Sequence, residues 1–300
     1  MSLSSDGGQT WGSGLASSDH AEGLGGEPLV QPNGTVIVPF QGGGIDVFSS
    51  TNGGKSWGKS QQIAAIDFHT VAAGMRDPDL PSAAIDGAGN VYVVWSDCRF
   101  RKSCAENDVV MSTSSNGTAW SAVARIPIDA TTSTVDHFLP GIGIDPTTSG
   151  SSAHITIVYY YYTDTNCSLS TCQLYAGYTT STDGGSTWTA GAEIAGPMKV
   201  GSLPVSDNGP MLADYISDAY SNGNAYSVIP LATALKGTTY NESMYTSKTP
   251  LPALPDAPRF SSAEDKPVPE AERYRKTDFF LDDEGTRPLP RERWVAAAKE

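Results

Sequence analysis

Carboxylates recur just ahead of the strand-like apolar runs of this chain. Arg76-Asp77-Pro78-Asp79-Leu80, Val135-Asp136-His137-Phe138-Leu139 and Ser206-Asp207-Asn208-Gly209 each lead into such a run, and Asp214-Tyr215 lies just beyond the last. If these segments meet at one end of a fold, Asp77, Asp136 and Asp214, with His137 and Tyr215, could bind sugar hydroxyls, hold calcium or move protons. An aspartate ahead of a strand is also an ordinary turn residue, because its side chain bonds the backbone two residues on. For the cluster as a whole both readings stand.

Few other residues offer chemistry. The first 247 residues contain only four arginines, Arg76, Arg99, Arg101 and Arg125. Glu106 follows the run Trp95-Ser96-Asp97-Cys98-Arg99 in a polar loop. The histidines form no H-E-x-x-H, no G-x-S-x-G elbow occurs, and Gln41-Gly42-Gly43-Gly44 lacks the Lys-Ser/Thr of a phosphate loop. The cysteines fall into two close pairs, Cys98 with Cys104 and Cys167 with Cys172. Their spacing and polar surroundings favour local disulfides, formed in an oxidising compartment, over a zinc site.

The elements that must position these groups are short strands. Ser50-Thr51-Asn52-Gly53-Gly54-Lys55-Ser56-Trp57 repeats Ser4-Ser5-Asp6-Gly7-Gly8-Gln9-Thr10-Trp11 and returns as Ser181-Thr182-Asp183-Gly184-Gly185-Ser186-Thr187-Trp188, with a shortened copy from Ser114 to Trp120. In this octet Asp or Asn can bond its own turn, Gly supplies positive φ, and Trp packs against a neighbouring strand. The tryptophans are spaced by 46, 63 and 68 residues, room for one four-stranded blade of roughly 40–50 residues plus loops in each interval. Between them Pro81–Trp95 reads as strand, glycine turn, strand. Pro140–Tyr162 repeats that plan, with Pro81 and Asp86 superposing on Pro140 and Asp145, and echoes begin at Pro28 and Pro210.

The octets resemble the Asp box, or BNR repeat, of the sialidase superfamily. The resemblance spans residues 1–246 and implies an all-β, sialidase-like β-propeller of the six-bladed type. About four to five blades are accounted for, so the reading predicts an incomplete propeller, truncated before the first octet at Ser4. It also implies an extracellular, glycan-directed protein whose partner is a glycan or glycoprotein and whose site is the mouth of the central axis. Tyr215, Glu106 and Asp136 become the catalytic candidates, and Arg76, Asp77, Asp97, Arg99, His137 and Asp214 the substrate-binding ones. The family grips a substrate carboxylate with three arginines drawn from several blades, whereas the four here lie within two. Two functions therefore stay open: an exo-glycosidase of the exo-α-sialidase kind, or a non-catalytic propeller binding glycan or protein, the latter favoured if the arginine clamp is absent.

Composition narrows the rest. Net charge is −14, carried almost wholly by the first 247 residues, which disfavours nucleic acid and anionic membranes as partners. No apolar run reaches the roughly 18 residues of a membrane span. No signal peptide is visible, and the reading places its loss with the missing N-terminus, giving a secreted or periplasmic protein. No cofactor is expected and no metal is assigned, although calcium could be held. Residues 247–300 change character: prolines and dense mixed charge predict a largely disordered tail, with short helices near 269–280 and 289–299.

Overall fold

In the computed structural model, residues 1–77, 79–252, 254 and 257–273 are described. The protein is all-β, built from consecutive antiparallel meanders. Strands β1 (Leu29–Val30), β2 (Val36–Gln41), β3 (Ile45–Ser50) and β4 (Gln61–Ala64) form the first sheet. The second comprises β5 (Ser82–Ile85), β6 (Val91–Asp97), β7 (Asp108–Ser114) and β8 (Ala124–Arg125). In the third, β9 (Asp136–Ile144), β10 (Ile155–Tyr162) and β11 (Gln173–Ser181) are completed by β13 (Ala192–Lys199), while the intervening β12 (Thr187–Thr189) pairs elsewhere. A small hairpin of β14 (Val205–Ser206) and β15 (Gly209–Pro210) precedes the three-stranded sheet of β16 (Ser217–Ser221), β17 (Asn224–Lys236) and β18 (Thr239–Thr246).

Successive sheets stack face to face, as in a propeller. Ile37, Ile45 and Val47 of the first meet Val91, Val93 and Trp95 of the second. Tyr92, Val94 and Met111 on the second sheet's other face meet Ile142, Ile155 and Ile157. Phe138, Tyr160 and Leu174 then meet Ile216, Ile229 and Ala232 of the last sheet. The tyrosine run follows the two-residue period of a strand: Tyr160 and Tyr162 enter one core, while Tyr159 and Tyr161 face the other. The leading strands adjoin closely enough to require glycine. A Cβ on Gly141 would lie 2.5 Å from the Ile216 carbonyl oxygen, and one on Gly143 would lie 2.8 Å from the Asp218 backbone.

Three octets lie at hairpin corners after β3, β7 and β11, and the first precedes β1. All four close their turn on the leading serine Oγ, while among the described residues only Trp11 and Trp188 donate their indole N–H within it. In the last copy Ser181 Oγ accepts from Gly185 N (2.9 Å), Asp183 Oδ1 accepts from Thr187 N (2.8 Å), and Trp188 Nε1 donates to the Gly185 carbonyl (3.0 Å). Ser4, Asp6 and Trp11 repeat these bonds at 2.8, 2.9 and 3.1 Å. Gly185 sits at φ +87°, which L side chains rarely adopt. The copies differ in burial: Trp188 is 0% exposed and Trp11 65%. Asp183→Ala, which removes the acceptor for both Thr187 donors, should therefore cost about 1 kcal/mol in urea unfolding, while Asp6→Ala should leave the midpoint unchanged. Equal losses would show that the clasp acts locally, without its tryptophan's burial.

Both disulfides form as the spacing predicts, Cys98–Cys104 and Cys167–Cys172. Asp86 and Asp145 cap the turns that leave β5 and β9, accepting backbone N–H groups two residues on. Asp214 lies three residues ahead of β16, as Asp79 lies three ahead of β5. The described part of the tail is not detached. Strand β19 (Arg259–Ser261) pairs with β12, placing Phe260 opposite Trp188, because β12 has a free edge. Val268 N then donates to the Arg99 carbonyl (2.8 Å) and Asp265 meets Arg125 at 3.0 Å. The short helix α1 (Glu270–Arg273) falls within the first predicted tail helix; residues 274–280 of that helix and the whole of the second lie outside the described residues.

Candidate functional site

The segments leading into β1, β5, β9 and β16 carry a linked set of polar side chains. Arg76 and Asp214 join the second and last sheets through two parallel bonds, Nε to Oδ1 and Nη2 to Oδ2, both 2.9 Å. Such a planar fork fixes both partners. Tyr215 follows, 46% exposed. Its hydroxyl oxygen would lie 3.0 Å from a Cβ on Gly25, so the segment ahead of β1 passes close by. Burial, then Asp214 and Glu27, raises the Tyr215 phenol. Glu27, two residues before β1, accepts from Ala83 N, and burial pushes its carboxyl up to about 7.

A second group gathers around Asp136, coupled to Asp77, the chain neighbour of Arg76. Asp136, at the head of β9, is fully buried; its Oδ1 accepts from Asn107 N (2.7 Å) and its Oδ2 meets His69 Nδ1 (3.2 Å). Asn107 fixes the His69 backbone from both sides, accepting from its N–H at 2.8 Å and donating to its carbonyl at 2.6 Å. Asp77 is electrostatically coupled to Asp136, Asp79 and Tyr162. Both its carboxylate oxygens are shut off from solvent and accept no hydrogen bond among the described residues. Burial, then Asp136 and Asp79, holds the Asp77 carboxyl well above its ordinary range. Glu106 is half-buried and coupled to Asp136 and His69; burial raises its carboxyl, which the Arg101 charge opposes.

The sequence candidates thus divide. Arg76, Asp77, Asp136, Glu106, Asp214 and Tyr215 fall within this linked set. Asp97 and Arg99 form a separate pair. Asp97 is fully buried and accepts from Arg99 Nε (2.8 Å), Trp95 Nε1 (3.1 Å) and Asp67 N (3.2 Å), which makes it an anchor for the Cys98–Cys104 loop. His137 is placed away from its neighbour Asp136, because adjacent residues of β9 point to opposite faces. It is buried against Tyr159 and 3.9 Å from Asp129.

His137 belongs instead to a buried charge network. Arg101 takes Asp108 by Nε (2.9 Å) and Nη2 (2.6 Å), and its Nη2 also reaches Asp129 (2.9 Å). Arg125 holds Asp129 at 2.6 Å and contacts Asp108 at 2.8 Å. The ligand-type atoms of Asp108, Asp129 and His137 lie within 4.8 Å of one another, the spacing of a cation site. Their charge is already met by two guanidinium groups, and burial keeps His137 below its ordinary pKa, so the cluster reads as a structural ion network.

Glu27, His69 and Asn107 escape a reading of the sequence. Glu27 had a signal: it precedes Pro28, the first of the recurring prolines that open the strands. His69 and Asn107 come from loops of unrelated spacing and have none.

No family model matches the chain, and no curated protein matches it. Among solved structures it is similar to an α-L-arabinofuranosidase from Fusarium graminearum, with 16% identity, 83% of this chain and 73% of that one covered, and a TM-score of 0.47. A thermostable family-43 glycoside hydrolase matches with 13% identity, 76% and 70% covered, at 0.43. The catalytic domain of a GH62 α-L-arabinofuranosidase from Coprinopsis cinerea matches with 10% identity, 76% and 74% covered, at 0.41. At these scores the likeness assigns neither family nor activity.

Proposed function

We propose that the chain is an extracellular propeller that recognises glycans at the mouth formed by Glu27, Arg76, Asp77, Glu106, Asp136, Asp214 and Tyr215, without cleaving them. The reading rests on one observation: all four arginines of the body are held by aspartates. Arg76 is held by Asp214, Arg99 by Asp97, and Arg101 and Arg125 by Asp108 and Asp129. A clamp on a sialic-acid carboxylate would have to break these pairs, and neither Asp nor Ser can replace a guanidinium in that role. Carboxylates and a half-exposed tyrosine suit sugar hydroxyls and ring faces. Two disulfides suit an oxidising compartment, and among the described residues no helix is long and apolar enough to cross a membrane.

One observation favours exo-glycosidase action as a second reading: Tyr215, the nucleophile candidate, lies within electrostatic reach of Glu27, a carboxylate that could take its proton. Asp136 and Glu106 would then share the acid–base work. A panel of fluorogenic sialosides and neutral glycosides, run beside a glycan array, separates the two. The expected result is no turnover, with array binding that Asp136→Ala and the surface variant Tyr215→Ala both abolish. Turnover that Tyr215→Phe removes would establish the enzyme instead.

A further inference from the structure

Asp77 stands out within that mouth. A buried carboxyl without a hydrogen-bond partner is costly, and this one lies beside two further carboxylates, Asp136 and Asp79. The nearest guanidinium is turned away, since Arg76 spends Nε and two-point geometry on Asp214. Asp136 is satisfied by the Asn107 peptide and His69, neither of which reaches Asp77 by a hydrogen bond. The remaining neighbour from β10, Tyr162, gives its hydroxyl to Met75 Sδ at 3.1 Å. Every charged group coupled to Asp77 is therefore acidic, and the carboxyl can be stabilised only by a proton or by a cation brought from outside. The residue as a whole is half-buried while its carboxyl is shut off, so a cation from outside is received only when the side chain turns toward solvent. The surroundings reinforce the sign: net charge is −14. An acidic cleft of this kind concentrates cations and repels anionic sugars.

We propose that the sugar taken at this mouth carries a free amino group, whose ammonium is received by Asp77 and Asp136; this rests on the glycan-recognition reading above. An ammonium brings three donors to carboxylate oxygens that lack them. Binding is balanced by proton release: the ammonium enters charged, Asp77 gives up its proton, and that proton passes to the buffer. An N-acetylated sugar has neither the charge nor the donors, and it displaces no proton.

Calorimetry with the full chain tests this at about pH 5.5, where an amine is charged. The probes are a glucosamine tetramer, its fully N-acetylated counterpart, and calcium chloride alone, each in two buffers of different ionisation enthalpy. The glucosamine tetramer should bind about tenfold or more tighter than the acetylated one, with net proton release that Asp77→Asn abolishes. Asp77→Asn removes an unpartnered acid and should melt no lower than the wild type, so a loss of binding would not reflect unfolding. Equal affinity for the two tetramers overturns the inference and leaves glycan recognition intact. Proton release that persists in Asp77→Asn overturns it in favour of diffuse surface charge. The same Asp77-dependent release with calcium alone also overturns it, the ligand then being a metal ion. If neither tetramer binds and the glycan array is blank, the recognition reading itself fails.

Discussion

Arg101→Ala should destabilise the protein by about 3–5 kcal/mol, the scale for breaking a buried ion pair from one side. Arg101 is fully buried, and its guanidinium spends all its bonding capacity. Nε and Nη2 take Asp108, Nη2 reaches Asp129, and Nη1 donates to the carbonyls of Ala130 (3.1 Å) and Ser133 (2.8 Å). Alanine leaves Asp108 and Asp129 sharing Arg125 alone, and it strips two loop carbonyls of their donor. The loop 129–133 leads directly into β9, so the loss also loosens the strand that presents Asp136. Arg101→Lys should recover only part of the loss, because an ammonium cannot span the fork to Asp108 while bonding two carbonyls. Urea unfolding measures both variants. A loss below about 1 kcal/mol for Arg101→Ala would mean that water replaces the guanidinium and the network is not closed. A thermodynamic cycle with Asp129→Ala should give a coupling above about 1 kcal/mol, since the two residues touch.

This network shows where the sequence was legible and where it was not. The octets, the proline-led strands and the tyrosine run follow local rules: turn chemistry, glycine at positive φ and a period of two. Each can be read from a few consecutive residues, and the sheets appear where those signals put them. Arg101 and Arg125 gave no such signal. Nothing in their sequence neighbourhood announces that Asp108 and Asp129 hold them. His137 failed for a different reason. Its neighbour Asp136 belongs to the linked polar set, but one residue along a strand is the opposite face, and the start of β9 could not be fixed closely enough to choose between them. The described part of the tail pairs with the body in a way its composition does not announce. Proline and charge argue against a core, yet β19 needs none of its own, because β12 offers an open edge that any extended segment can pair with. Glu27, His69 and Asn107 join the linked polar set through tertiary packing alone.

Stability should fall as pH rises from about 4 to about 8, and Asp218 should account for much of that slope. Asp218 lies on β16, 6% exposed, with one oxygen unpartnered and the other accepting only from Ala219 N (3.1 Å). Burial pushes its carboxyl up to about 8, against a partial lowering by that one N–H. The group faces Gly143 of β9, where the two backbones approach too closely for water to follow. Tyr220 and Asp145 are the nearby titratable groups, and they supply no positive charge. Because its pKa is higher folded than unfolded, Asp218 holds more proton in the native state, and the stability it confers when neutral is fully present below about pH 4. Each pH unit between the two pKa values removes about 1.4 kcal/mol, to a ceiling on the order of 5 kcal/mol near pH 8. Glu27, raised to about 7, acts with the same sign over a narrower window. Asp218→Asn keeps the shape and cannot ionise, so its unfolding free energy should be nearly flat where that of the wild type declines. Denaturant titrations at about pH 5, 6.5 and 8 measure the difference. Parallel wild-type and Asp218→Asn curves would mean that β9 and β16 part enough to hydrate the carboxylate, and that the close contact at Gly143 opens in solution.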